Sequence, residues 1–239
     1  MFELDRPQAH HVRDVLRLTL HDTLELFDDA GRVAMATITA TSQTRVTVRV
    51  DAVNAIDPAN NLSLVIASAV PKGDRAEWMI EKLSELGVDR FIPLATARSI
   101  VHPDGKNKRD RWMRVAIEAA KQSRRQGVMA IAELMPLAVA LRDVTESGGS
   151  VWYLAPGAAT SVFDVVTHSR DVATSSIVLF VGPEGGWTDE EHGIFTSANI
   201  SSLRLTQTIL RIETAAIAGA AMIAMQTNRD HNSVSFAPF

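Results

Sequence analysis

Residues 177–191, Ile177-Val178-Leu179-Phe180-Val181-Gly182-Pro183-Glu184-Gly185-Gly186-Trp187-Thr188-Asp189-Glu190-Glu191, carry the signals that decide the fold. Ile177 to Val181 is apolar without a polar break, as expected of a strand buried on both faces of a parallel sheet. The turn that follows holds Gly182, Gly185 and Gly186, and without a Cβ the backbone can approach a neighbour or a ligand closely. Thr188 stands three residues before Glu191, the capping box that opens a helix. Strand, glycine turn and capped helix form an α/β unit, and in open α/β sheets ligands sit beyond the carboxyl ends of the strands. Val181 to Gly186 is therefore a candidate ligand loop, with a purely structural strand-to-helix turn as the alternative. A phosphate cradle is disfavoured, because no Lys-Ser/Thr pair follows and Glu184 adds a negative charge.

The same alternation extends upstream. Leu62 to Val70 is a near-continuous apolar run and reads as a second buried strand. Asp74 to Leu86 is amphipathic, with Met79, Leu83 and Leu86 on one side and Glu77, Glu81 and Glu85 elsewhere. Gly87 ends that helix, and Val88 to Leu94 returns as a strand. A helix is expected from Arg109 to Gln126 and a strand at Val151 to Leu154. The fold class is thus α/β with a mostly parallel sheet. Before residue 58 the pattern differs: strands are expected at Thr23–Phe27, Val33–Thr39 and Arg45–Val50. Asp28-Asp29-Ala30-Gly31 and Ser42-Gln43-Thr44 supply the turns, and Asp57 to Asn61 reads as a linker. Two domains follow, a small β-barrel over residues 1–57 and an α/β domain over 62–239.

Composition narrows the class. The chain has 239 residues, 46% hydrophobic and 22% charged, with no cysteine. Disulfide scaffolds and thiolate metal sites are excluded, and a reducing compartment fits. Met1 to Asp5 lacks a basic region followed by an apolar stretch, and Ala215 to Met225 is too short to span a bilayer. A cytoplasmic protein without a membrane anchor is expected. The net charge is −4, yet Lys106, Lys108, Arg109, Arg111, Arg114, Lys121, Arg124 and Arg125 are opposed between residues 102 and 125 only by Asp104, Asp110 and Glu118. That stretch carries +5 and the remainder −9, so a phosphate backbone can be held locally while the rest of the surface repels it. The alternative is a solvated helix face.

A second loop lies downstream: Leu205-Thr206-Gln207-Thr208-Ile209-Leu210-Arg211-Ile212-Glu213-Thr214-Ala215 runs from a strand into an alanine-rich helix. Arg211 and Glu213 immediately before an apolar helix are unusual, and an ion pair capping that helix is the structural alternative to a functional role.

Together the two loops resemble the GPEGG and LG-x-R-ILR-x-ETA signatures of the ribosomal RNA small-subunit methyltransferase E family, within the SPOUT superfamily of trefoil-knotted methyltransferases. His10-His11-Val12-Arg13-Asp14-Val15-Leu16-Arg17, Pro71-Lys72-Gly73-Asp74-Arg75, Glu81 to Val88, Arg98-Ser99 and Glu118 to Arg124 are similar to further elements of that family, in order along nearly the whole chain. The resemblance implies a PUA-like RNA-binding barrel followed by a knotted domain that binds S-adenosylmethionine and dimerises. It implies methylation of uridine N3 in 16S ribosomal RNA, with that RNA or the assembled small subunit as partner and no metal. The cofactor would then meet Leu154, Ala155, Val181 to Gly186 (Pro183 and Glu184 included), Leu205, Thr206, Ile209, Leu210, Arg211 and Thr214. Arg211 is the candidate cation for the uridine anion, with Glu213 positioning it. Lys72, Arg75, Lys82, Arg98, Arg111, Arg114, Gln122, Arg124 and Arg125 are the candidate RNA contacts, although Lys82 can instead pair with Glu85.

The chain departs from the family where Thr206 and Thr208 replace glycine and arginine, and a β-branched residue resists positive φ. Only nine residues precede His10, about a dozen fewer than is usual in the family, so no RNA contact is assigned to an N-terminal arm. A catalytically weak RNA-binding assembly factor and a SPOUT enzyme acting at another RNA position are the competing functions. His10-His11 is not a metal pair, because adjacent side chains point apart. Trp187 is read as packing, with a base-stacking surface as the alternative. Ala215 to Met225 is apolar on every side and needs cover all round, and a homodimer is expected to supply part of it.

Overall fold

The computed structural model describes residues 1–27, 32–42, 45–55, 62–99, 106–123, 125, 127–146, 148–168 and 176–227. The hairpin turn at 28–31, the linker at 57–61, the turn residues Gln43 and Thr44, and Arg124 lie outside them. The chain divides into two compact units: Met1–Asp57 with Gln126–Val128, and Pro58–Arg125 with Met129–Phe239.

The first unit is built on a four-stranded antiparallel sheet. Its strands are β1 (Phe2–Glu3), β2 (Thr23–Phe27), β3 (Arg32–Thr41) and β4 (Val46–Ala55), in the order β1-β4-β3-β2. Alternation along β3 and β4 turns Ala36, Ile38, Val46 and Val48 inward, where Leu4, Ala9 and Val12 cover them. The last two residues sit on a feature that strand periodicity did not anticipate: helix α1 (Arg6–His10), capped by Asp5, continues into a π-helical turn at His11–Val15. His10 Nε2 lies 3.5 Å from Asp14.

In the second unit the strands β5 (Ser63–Ser68), β6 (Arg90–Ala95), β7 (Ala130–Ile131), β9 (Ser150–Leu154), β10 (Ser176–Val181) and β11 (Ser201–Leu203) run parallel in the order β11-β9-β10-β5-β6-β7. The short β8 (Met135–Pro136) pairs with β6. Val65, Ala67, Val178 and Phe180 face α4 (Leu137–Glu146) and Phe195 of α6 (Asp189–Ser197). Helix α7 (Ile212–Thr227) packs on β5 and β10 and against α2 (Asp74–Glu85). Helices thus cover the sheet on both sides, which is why its central strands read as unbroken apolar runs.

Gly87 follows α2 with φ of +82°, the left-handed stop expected there. Helix α3 (Lys106–Ser123) begins and ends three residues earlier than Arg109–Gln126. The Ser123 hydroxyl donates to the Ala119 carbonyl at 2.8 Å, and Arg125 N–H donates to the Ala120 carbonyl, five residues back, at 3.2 Å, so the regular α-helical ladder has ended by Arg125. The strands β7 and β8, with α4 and α5 (Val162–His168), lie in stretches that gave no distinct periodic signal, whereas β11 is the strand expected before Leu205. Among the described residues no helix is long and apolar enough to cross a membrane.

Candidate active site

The carboxyl ends of β9, β10 and β11 open on one cleft of about 340 Å3. Its walls are the turn after β9 (Leu154–Pro156), the glycine loop after β10 (Val181–Trp187) and the segment after β11 (Leu203–Leu210), closed by the first turns of α7. Three parallel strands ending side by side put three loops at one edge, and this is why residues 50 apart in sequence converge.

Close packing shapes the glycine loop. A Cβ on Gly182 would lie 2.8 Å from Cε2 of Trp187, so only glycine lets the loop fold over that ring. Trp187 is 6% exposed and donates Nε1–H to the Leu154 carbonyl at 2.9 Å, tying the β10 loop to the end of β9. Trp187 is therefore core packing. The capping box forms as its spacing requires: Glu191 N–H donates to Thr188 Oγ1 at 3.2 Å, and Thr188 N–H to Glu191 Oε2 at 2.9 Å. The buried Glu191 carboxylate also accepts Ala97 N–H at 2.9 Å, pinning the turn after β6 to the start of α6. Thr206, where the family has glycine, does not have positive φ. Its hydroxyl donates to the Thr208 carbonyl at 2.8 Å, so two threonines brace this loop without strain.

Twelve of the expected cofactor residues line the cleft: Leu154, Ala155, Val181 to Gly186, Leu205, Thr206, Ile209 and Leu210. Arg211 and Thr214 do not; both are exposed beside it on the turn into α7. The pairing of Glu213 with Arg211 is also corrected. Glu213 is buried, its Oε1 accepts from Arg75 Nη1 at 3.2 Å, and its Oε2 has no partner among the described residues. Helical geometry explains this, since residues two apart on a helix face different sides and Glu213 is turned toward α2. Arg211 keeps an exposed guanidinium with no side-chain partner among the described residues, while its carbonyl accepts Ala215 N–H at 2.9 Å.

The expected RNA contacts divide by environment. Lys72, Arg114 and Gln122 are exposed, and among the described residues Arg114 is held only by its own helix, through the Asp110 carbonyl at 3.3 Å. Arg111 is exposed and pairs with Glu77 at 2.8 Å. Lys82 is clamped between Glu81 and Glu85, each at 2.8 Å, which raises its pKa and leaves it less free for phosphate. Arg98 donates Nη1 to the Gly185 carbonyl at 2.6 Å, so its first task is holding the glycine loop. Arg125 is a correction. Its side chain is 10% exposed and donates to the carbonyls of Ser84 and Val88 at 3.1 and 2.6 Å and to Asp89 at 3.3 Å. A guanidinium so enclosed joins α2 to the strand after it and is not a phosphate contact.

Sequence reasoning missed His192 and Arg204 as cleft residues, whereas Thr208 lies within the Leu205 to Leu210 stretch expected there. His192 sits one turn into α6, past the capping box, and only the fold of α6 over β9 brings it to Tyr153, at 3.2 Å. Arg204 Nη1 donates to the carbonyls of Ala158 and Ala159, which no local spacing indicates.

Two family models match the chain: an RNA methyltransferase PUA domain over residues 4–51 and an RNA methyltransferase domain over residues 58–224. The ribosomal RNA small subunit methyltransferase E of Bacillus subtilis is 31% identical over 232 residues, which cover 95% of this chain and 90% of that protein. The Mycobacterium tuberculosis protein of the same name is 29% identical over 97% of this chain and 89% of its own length. A crystal structure of a ribosomal RNA small subunit methyltransferase E from Neisseria gonorrhoeae, bound to S-adenosyl methionine, superposes with a TM-score of 0.75. Its identity is 29%, over 95% of this chain and 91% of that one.

Proposed function

Because the chain belongs to the ribosomal RNA small-subunit methyltransferase E family, we propose that it methylates N3 of a uridine in 16S ribosomal RNA, using S-adenosylmethionine, in the cytoplasm. The observation that carries this reading is the cleft itself: a glycine-lined site of about 340 Å3 at the carboxyl ends of three parallel strands. The residues present suit the cofactor. Leu154, Val181, Ile209 and Leu210 offer apolar walls, the glycine loop brings backbone groups close, and Glu184 places a carboxylate where a cationic ligand gains from it.

S-adenosylmethionine supplies a methyl group on a sulfonium, which departs as the neutral thioether when N3 bonds to the methyl carbon. The chain's part is to align the uridine, since positioning supplies much of the rate of such a transfer. N3 must also lose its proton, and the exposed Arg211 guanidinium beside the cleft is the group offered to the resulting negative charge. The first unit, residues 1–57, serves as the RNA-binding PUA-like domain in this reading, and residues 62–239 as the knotted catalytic domain. Mass spectrometry of small-subunit RNA from a deletion strain tests it. Loss of 3-methyluridine, restored by the gene on a plasmid, is expected; an unchanged nucleoside profile overturns the reading, and loss of a different methylated nucleoside moves the substrate elsewhere.

RNA binding is assigned to the exposed cations of α3. Arg111→Ala with Arg114→Ala should flatten the dependence of log K on log salt by about two units, near one per lost phosphate contact. Arg125→Ala should instead lower stability and leave the slope of the folded protein alone. An unchanged slope in the double variant makes α3 a solvated face.

Helix α7 buries Ile212, Ala216, Ala220 and Ile223, whereas Ile217, Ala218 and Met222 are only half-covered and Met225 is 68% exposed. We propose that a second copy covers the rest in a symmetric homodimer. Sedimentation at micromolar concentration should give the dimer mass, and a monomer mass overturns it.

A further inference from the structure

We propose that His192 is a cofactor contact, donating Nε2–H to an acceptor atom of S-adenosylmethionine, with Tyr153 as the positioning residue that fixes the imidazole. The inference rests on the cleft being the cofactor site. Most polar side chains along the cleft are already engaged. Arg98 and Arg204 donate to loop carbonyls, Trp187 Nε1 to Leu154, and the Thr206 and Thr208 hydroxyls meet each other at 3.2 Å. What remains for a ligand is the Glu184 carboxylate, one nitrogen of His192 and the guanidinium N–H groups of Arg98 and Arg204 other than Nη1.

The Tyr153 contact decides which nitrogen that is and what it carries. Tyr153 is buried, stacked on Phe195 with ring centroids 4.1 Å apart and planes 3° from parallel, so its hydroxyl has little freedom. That hydroxyl lies 3.2 Å from His192 Nδ1, its only polar side-chain neighbour among the described residues. With a single hydrogen-bond partner, a buried hydroxyl is satisfied by donating its O–H to it, since accepting instead would leave that donor unpaired. Nδ1 is then the acceptor, the ring N–H is on Nε2, and His192 reaches the cleft as a donor of fixed orientation. Adenine ring nitrogens, ribose oxygens and the methionine carboxylate are the acceptors S-adenosylmethionine offers.

Calorimetry with S-adenosylhomocysteine, S-adenosylmethionine and 5′-methylthioadenosine tests the contact, with thermal melts to select folded variants. His192→Ala should weaken S-adenosylhomocysteine about tenfold, the size of one well-made hydrogen bond. His192→Gln, which keeps a donor, should recover most of that loss. Tyr153→Phe should weaken binding severalfold while leaving the aromatic stack in place. If 5′-methylthioadenosine loses affinity equally, the acceptor is on the nucleoside; if it loses none, the acceptor is on the amino-acid end. In wild-type protein, nitrogen-15 NMR of the imidazole should show the Nε2–H tautomer and a shift at Nε2 on adding S-adenosylhomocysteine, and Tyr153→Phe should scramble the tautomer. Wild-type affinity in His192→Ala, or an Nε2 resonance unmoved by ligand, overturns the contact alone. Absence of binding by the wild-type protein overturns the cofactor reading and this contact with it.

Discussion

Arg211→Ala is expected to lower single-turnover methyl transfer by about a hundredfold or more, the scale of losing one electrostatic donor to developing charge. Its melting temperature should stay at the wild-type value. The side chain is exposed and has no partner among the described residues, so removing it empties no packed volume and orphans no buried group. Cofactor affinity should change little too, because Arg211 stands beside the cleft and does not line it. The benefit of the guanidinium falls on the transition state, where N3 has given up its proton, so kcat should drop far more than KM rises. Arg211→Lys keeps the charge but not the planar fork and should restore only part of the rate. Glu213→Ala is the contrast. Its carboxylate is buried against Arg75, and removing it leaves the guanidinium unpaired at the α2–α7 contact, costing stability while the folded fraction keeps its rate. A near-wild-type rate for folded Arg211→Ala removes this residue from catalysis.

Gly182→Ala is expected to cost about 1–3 kcal/mol of stability and to weaken S-adenosylmethionine at least tenfold. The new methyl carbon would meet Trp187 ring atoms at 2.8 and 3.1 Å, inside any tolerable contact. The ring has nowhere to go: it is nearly buried, lies edge-on to Phe195 with centroids 5.0 Å apart, and holds the Leu154 carbonyl. Relief must come from the loop or from that hydrogen bond, and both form walls of the cleft. Gly185 makes a useful control, since its Cβ would meet only the aliphatic chain of Arg98, at 3.1 Å, which can shift. Combining Gly182→Ala with Trp187→Phe frees space where the indole stood and should recover part of the loss, a coupling that a double-mutant cycle measures. Additive effects of the two substitutions, or a Gly182→Ala protein that melts and binds like wild type, contradict the close-approach argument.

Three kinds of information were legible in the sequence because they are local. The apolar runs of β5 and β10 mark strands covered on both sides, the spacing of α2 marks its buried face, and Thr188 with Glu191 marks the start of α6, each a consequence of neighbours along the chain. The two loop motifs belong with these, since glycine and turn residues record backbone needs at their own positions, and twelve of the residues they and β9 nominated do line the cleft. Short strands such as β7 and β8 were not legible, because two residues carry no period. Side-chain partnership between residues distant in sequence was decided by the tertiary structure alone. Arg125 reads as one more cation in a basic run until Ser84 and Val88 enclose it. Glu213 reads as the neighbour of Arg211 until the helix turns it toward Arg75, 138 residues away in sequence. Tyr153 and His192, 39 residues apart, meet only because α6 folds back over the end of β9. A charged or polar side chain goes to whichever partner repays its desolvation, and that choice is set by distances in space that composition and spacing do not encode.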